Sequence, residues 1–168
     1  MHFPKDFENL YLKYSDKIYK YIYLNTNDPY LSEDITSETF LRIWKNWKNI
    51  KPDFIQALLY KTAKNILIDN YRKHGNGKKV SLETIVEQGI EPSYDEDLIE
   101  KITSSDNIKK INEAIKLLPE NLREVVILRF VNDLSARQAA LILDTTEVNI
   151  RVLQFRALKK LKEIIKNE

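Results

Sequence analysis

Glycine occurs three times in this 168-residue chain, at positions 75, 77 and 89, and nowhere else. Because Gly is the residue that most readily leaves a helix, the stretches on either side of that window are almost free of helix breakers. The five prolines, at positions 4, 29, 52, 92 and 119, stand where a helical pattern starts, ends or is absent. That distribution suits a chain of helices with Pro as punctuation. Strand-like alternation is missing apart from an ambiguous run over 78–86. The expectation is an all-α protein.

Charge divides the chain in the same place. Residues 1–82 carry 14 Lys/Arg against 9 Asp/Glu, residues 83–106 carry 1 against 8, and residues 107–168 carry 12 against 8. Two basic blocks thus flank an acidic strip whose low apolar density, Gly and Pro read as a flexible linker. We expect two small helical domains, over 1–78 and 107–168, joined by an acidic linker over 79–106. The acidic run at 95–97 has the charge to hold a cation, but a solvated linker face is the simpler account of it.

The first block reads as three helices. Phe7, Leu10, Tyr11, Tyr14, Ile18, Tyr21 and Ile22 keep the i, i+3, i+4, i+7 spacing of an amphipathic helix over 5 to about 25, with its aromatics in the core. A second helix is expected to open at Ser32, with Glu33 and Asp34 against the positive end of its dipole. A third, over 53–74, buries Leu58, Leu59, Ala63, Ile66 and Leu67, with Tyr71 a further candidate for that face, and shows Lys61, Lys64, Arg72 and Lys73. Basic residues interleaved with Tyr60, Asn65 and Tyr71 supply what a nucleic-acid surface needs: neutralised phosphates, and groups that stack on or bond to bases.

The last block contains a helix pair at 134–161. Ser135 and Gln138 have capping-box spacing, and Thr146 can cap a second helix beginning at Glu147 after the turn Asp144-Thr145-Thr146. Val148, Val152, Phe155 and Leu158 form one possible buried stripe, leaving Asn149, Arg151, Gln154, Arg156 and Lys159 largely off it. That layout suits a helix in a DNA major groove. It also suits an ordinary surface helix, and the segment by itself leaves both open.

Several function classes are disfavoured. There is no Cys, the two His are at 2 and 74, and no nucleophile–base grouping or Gly-rich phosphate loop is visible. No catalytic residue, metal ligand, cofactor or small-molecule substrate is expected. The acidic start of the chain has no signal-like apolar run, and no stretch approaches the ~20 apolar residues of a membrane span. A cytoplasmic protein without membrane insertion follows.

Four segments, SEDITSETFLRIW at 32–44, LLYKTAKNILIDNYRKH at 58–74, LLPENLREVVILRF at 117–130 and the helix pair at 134–161, resemble in order and spacing the successive regions of bacterial sigma factors. The small extracytoplasmic-function (ECF) group, which has only sigma domains two and four, is the form this chain is similar to. The resemblance implies a non-enzymatic subunit that brings core RNA polymerase to promoter DNA and helps open it. By the same resemblance, Asp34, Glu38, Phe40 and Arg42 bind the polymerase clamp, and Lys61, Lys64, Asn65, Asp69, Arg72 and Lys73 engage the minus-ten element as one strand is exposed. Residues 48–53 correspond to the loop that captures a flipped base. Glu147, Asn149, Arg151, Gln154, Arg156 and Lys159 then serve the minus-thirty-five duplex. It also implies an anti-sigma partner and a linker threading a basic polymerase channel.

Some positions depart from the family pattern. Ser37 stands in place of a usual Gln, Leu58 of a common Trp, Asp144 of a turn Gly, Arg137 of a frequent acid and Leu153 of a frequent basic residue. Asp accepts a left-handed conformation better than most residues, so the turn at 144 remains open to it. Two other readings share some of these features: a helix-turn-helix regulator that never meets polymerase, and a helical adaptor with a sigma-like outline.

Overall fold

The computed structural model describes residues 4–74 and 108–167. All regular structure among the described residues is helical, and it divides into two compact units. The expected linker at 79–106, the three glycines and the ambiguous 78–86 run lie outside the described residues.

In the first unit, α1 spans Lys5–Thr26, α2 Pro29–Lys45 and α3 Ile55–Lys73, with 3-10 turns at Trp47–Asn49 and Pro52–Phe54 between the last two. Asn27 ends α1 in the left-handed region at φ 57° and donates its N–H to the Tyr23 carbonyl, a conformation Asn tolerates better than most residues. Helix α2 starts earlier than Ser32. Pro29 occupies its first turn, and the Asp28 carboxylate accepts from the Leu31 N–H at 3.1 Å. A pre-set proline φ and an Asp cap together define a stronger start than a lone Ser. Ser32 is instead buried, its hydroxyl donating to the Asp28 carbonyl at 2.6 Å.

Helix α1 packs on both α2 and α3, which pack on each other. Their shared core contains Ile18, Tyr21, Ile22, Leu59, Tyr60 and Ala63, all fully buried. The Tyr21 and Tyr60 rings meet edge to face at 5.5 Å between centroids, a geometry that adds about 1 kcal/mol to the burial itself. Thr36 and Thr39, on the buried face of α2, donate their hydroxyls to the Ser32 and Ile35 carbonyls, each at 2.7 Å. Such bonds let polar residues sit in the core without unmet groups.

In the second unit, α4 spans Ile108–Lys116 and α5 spans Glu120–Val126, which runs into a π-helical turn at Ile127–Val131; α6 spans Ala136–Ile142 and α7 spans Glu147–Lys166. Helix α7 packs against α4 and α5. The π turn closes with the Asn132 N–H donating to the Ile127 carbonyl at 2.9 Å, and the Leu134 N–H reaches back to Leu128 at the same distance. Widening the helix there delivers the chain to Ser135. The capping box then forms as the spacing predicts. The Gln138 N–H donates to Ser135 Oγ at 3.1 Å, and the Ser135 N–H donates to Gln138 Oε1 at 2.9 Å. Thr146 caps α7, accepting from the Asn149 N–H at 3.1 Å, and Asp144 takes φ 52° in the turn.

Candidate nucleic-acid interface

Three helical faces carry the charged residues singled out by the sequence. On α3 the apolar side is spent on Leu59, Tyr60, Ala63, Ile66 and Leu67. At 100° per residue, Lys61, Asn65, Asp69 and Arg72 then fall within an arc of about 80° on the other side. Asn65, Asp69, Arg72 and Lys73 are exposed, while Lys61 and Lys64 are half-buried. Tyr60 differs from the expectation. It is fully buried against Tyr21, so its ring is core and not a platform for a base; Tyr71 is half-buried.

On α2, Asp34, Glu38 and Arg42 are exposed along one side together with Ser37 and Lys45. Glu38 and Arg42 pair at 2.6 Å, one turn apart, with both side chains nearly half exposed. An exposed i,i+4 pair of this kind contributes only about 0.3–0.5 kcal/mol, so a partner helix can recruit either group at little cost. Phe40 does not share that face. It is 3% exposed and sets its ring against Tyr11 at 5.0 Å, because it falls on the same side of the helix as Ile43 and Thr36. Leu41, half exposed and about 60° around the helix from Glu38, occupies the outward position instead. Its spacing of three from Glu38 was the available signal.

The second unit departs furthest from the sequence reading. The buried side of α7 is made by Ile150, Leu153, Ala157, Leu158 and Leu161, and Gln154 lies within that stripe at 3% exposure. Gln154 Oε1 accepts from Arg129 Nε at 3.0 Å, and Arg129 Nη1 donates to the Leu134 carbonyl at 2.6 Å. Asn149 is also buried, its Nδ2 donating to Thr145 Oγ1 at 2.9 Å. Neither amide lies on the open surface that the expected stripe would have left to it. Val148, expected inside, is 62% exposed; Val152 and Leu158 are buried as expected, and Phe155 is half-buried. Two apolar stripes, 148-152-155-158 and 150-153-157-161, both satisfy a helical repeat; the helix, packed against α4 and α5, buries the whole of the second but only Val152 and Leu158 of the first. Leu153, where a basic residue is frequent, is therefore a core residue.

One exposed side of α7 carries Val148, Arg151, Lys159, Lys162 and Lys166 within about 80° of arc, with half-buried Phe155 among them, while Lys160 and Glu163 are exposed outside that arc. Glu147 lies at the edge of this surface and holds Arg151 at 3.4 Å. Arg156 is half-buried. Among the described residues no group of three or more His, Cys, Asp or Glu is placed to hold a metal ion, and no helix is long and apolar enough to cross a membrane.

A three-helix unit with a basic outer helix, followed by a capped helix-turn-helix with an outward cationic stripe, defines a bipartite, all-helical DNA-binding protein. Residues 10–77 match the model of sigma-70 region 2, and residues 108–161 match that of sigma-70 region 4. Among curated proteins the chain is similar to the ECF RNA polymerase sigma factor SigM of Bacillus subtilis, 27% identical over 94% of this chain and 93% of that protein. SigW of the same organism is 26% identical, over 92% and 86%. Among solved structures, the sigma factor RpoE of Bartonella quintana, crystallised with the anti-sigma factor NepR, shares the fold, with a TM-score of 0.73 over 97% of this chain and 98% of that one at 21% identity. The chain belongs to the sigma-70 family and is an ECF sigma factor with the two-domain arrangement of region 2 and region 4. It is not an enzyme: its function is to direct transcription initiation through core RNA polymerase and promoter DNA.

Proposed function

We propose that the outward face of α2 is the polymerase contact and that α3 and α7 are the two DNA grips. On α2, Asp34, Glu38 and Arg42 supply charge and Leu41 an apolar contact, while buried Phe40 shapes the helix from behind. On α3, Asn65 and Asp69 present groups suited to base edges of a melted minus-ten strand, and Lys61, Lys64, Arg72 and Lys73 bear on phosphates. Extracting bases from the stack costs on the order of a few kcal/mol each, which these contacts offset. On α7, Arg151 and Lys159 face the minus-thirty-five duplex, with Glu147 and Arg156 beside them; Asn149 and Gln154 serve inside the domain.

The observation that carries this reading is the separation of roles on α7: Ile150, Leu153, Ala157 and Leu161 and the amides of Asn149 and Gln154 turn inward, while Arg151, Lys159 and Lys166 share an open side with Val148. The partners that follow are core polymerase, promoter DNA as duplex and melted strand, and an anti-sigma factor masking the same faces; meeting polymerase places the protein in the cytoplasm. Domain limits of 1–78 and 107–168, with an acidic linker between, accompany this assignment. Transcription with purified core and a panel of host promoters tests it. Promoter-specific initiation that is lost with Arg151→Ala or Arg72→Ala supports it, and initiation that ignores both substitutions overturns it. A helix-turn-helix regulator acting without polymerase would bind duplex DNA yet fail to retain core on an affinity column.

A further inference from the structure

Val148 is the second residue of α7, and its isopropyl group is 62% exposed although an apolar stripe that would include it is available in the sequence. Singly exposed apolar residues are common on protein surfaces. What distinguishes Val148 is its place. It sits at the N-terminal end of the second helix of a helix-turn-helix, the end such proteins direct at base edges. Arg151 is one turn further on and about 60° around the helix, and Lys159 and Lys166 continue the same face toward the C-terminus. The Glu147 carboxylate, 3.4 Å from Arg151 Nη2, pairs with the guanidinium on the flank of Arg151 away from Val148, so Val148 is left uncovered by that pair. Thr146 fixes where α7 begins, and so fixes the height of both side chains.

The major groove offers one apolar group among its base edges, the 5-methyl of thymine, while Arg is suited to the paired acceptors of guanine. From this juxtaposition we propose that Val148 is a specificity-determining residue that packs on the 5-methyl group of a thymine neighbouring the base engaged by Arg151. The inference rests on α7 being the duplex-reading helix. With Asn149 and Gln154 turned inward, discrimination at this end of the helix comes from a methyl contact beside a guanidinium, and not from amide hydrogen bonds to adenine.

The test uses the full-length chain bound to core polymerase and duplexes selected from a random pool by that holoenzyme. Each thymidine of the selected minus-thirty-five element is replaced in turn by deoxyuridine, which removes the methyl group and nothing else. One replacement is expected to weaken binding of the unaltered protein about fourfold, the value of one buried methyl-sized group. Val148→Ala should bind the parent duplex about fourfold more weakly and lose its sensitivity to that same deoxyuridine. Because the side chain is exposed and Ala favours helix, the variant should melt with the unaltered protein. No deoxyuridine effect in the unaltered protein, or an effect that persists in Val148→Ala, overturns the proposal. Arg151→Ala reports on the underlying reading separately. If it weakens binding while the deoxyuridine scan is flat, α7 reads the duplex and only the Val148 assignment fails; if it too has no effect, the reading of α7 itself fails.

Discussion

Arg129 donates from Nε to the side-chain oxygen of Gln154 across 3.0 Å, joining two residues 25 positions apart. The same guanidinium reaches the Leu134 carbonyl at 2.6 Å. One side chain thus ties the π turn, the entry to the helix-turn-helix and the middle of α7 together. A charged donor shared by two partly buried acceptors is worth more than either bond alone, since removing it leaves both unmet.

Arg129→Ala is expected to destabilise the second unit by about 2–3 kcal/mol, and Gln154→Ala by about 1–2 kcal/mol. In the double variant the losses should fall short of their sum by at least ~0.5 kcal/mol, the signature of contacting residues. Amide hydrogen exchange of α7 measures this. Full additivity would mean that the bond contributes nothing to holding the helix.

Thr146→Ala should cost about 1 kcal/mol and speed exchange in the first turn of α7, while Thr146→Ser should retain most of the cap. Ser135→Ala should behave alike for α6, because it removes one half of a reciprocal pair. Equal exchange rates in all three variants would show that the hydroxyls do not define these helix starts.

Asp144 holds φ 52° between α6 and α7. Replacing it by Asn, which tolerates the left-handed region, should change stability by less than about 0.5 kcal/mol, whereas Val should cost about 1–2 kcal/mol through its branched Cβ. Thermal melting of the two variants side by side checks the order.

Tyr60→Ala should destabilise the first unit by about 3–5 kcal/mol, because a fully buried aromatic is removed from the contact with Tyr21. Asn65→Ala, five residues along the same helix but exposed, should leave stability within about 0.5 kcal/mol. Both tryptophans, Trp44 and Trp47, lie in this unit against Phe7, so their fluorescence during urea unfolding reports on it. A mild effect of Tyr60→Ala would return its ring to the list of base-stacking candidates.

Duplex binding should weaken steeply with salt, and Lys159→Ala should reduce the slope of log K against log salt by about 0.9 if it neutralises one phosphate. An unchanged slope would remove Lys159 from the DNA face.

The sequence by itself determined the features whose causes are local. The capping box at Ser135 and Gln138, the Thr146 cap, the left-handed Asp144 and the extent of α1 each depend on a few neighbouring residues, and each stands where the spacing puts it. The start of α2 is an exception of the same local kind, in which Asp28 and Pro29 outweighed Ser32. Only the tertiary structure decided which face of each helix turned inward. Two overlapping apolar stripes on α7 have equally good periodicity, and choosing between them required α4, α5 and Arg129, none of which is visible in that stretch of chain. The same choice took Phe40 and Tyr60 into the core and set Leu41 and Val148 outside. A helical repeat fixes the angles between side chains; the partners it packs on fix where the zero of those angles lies.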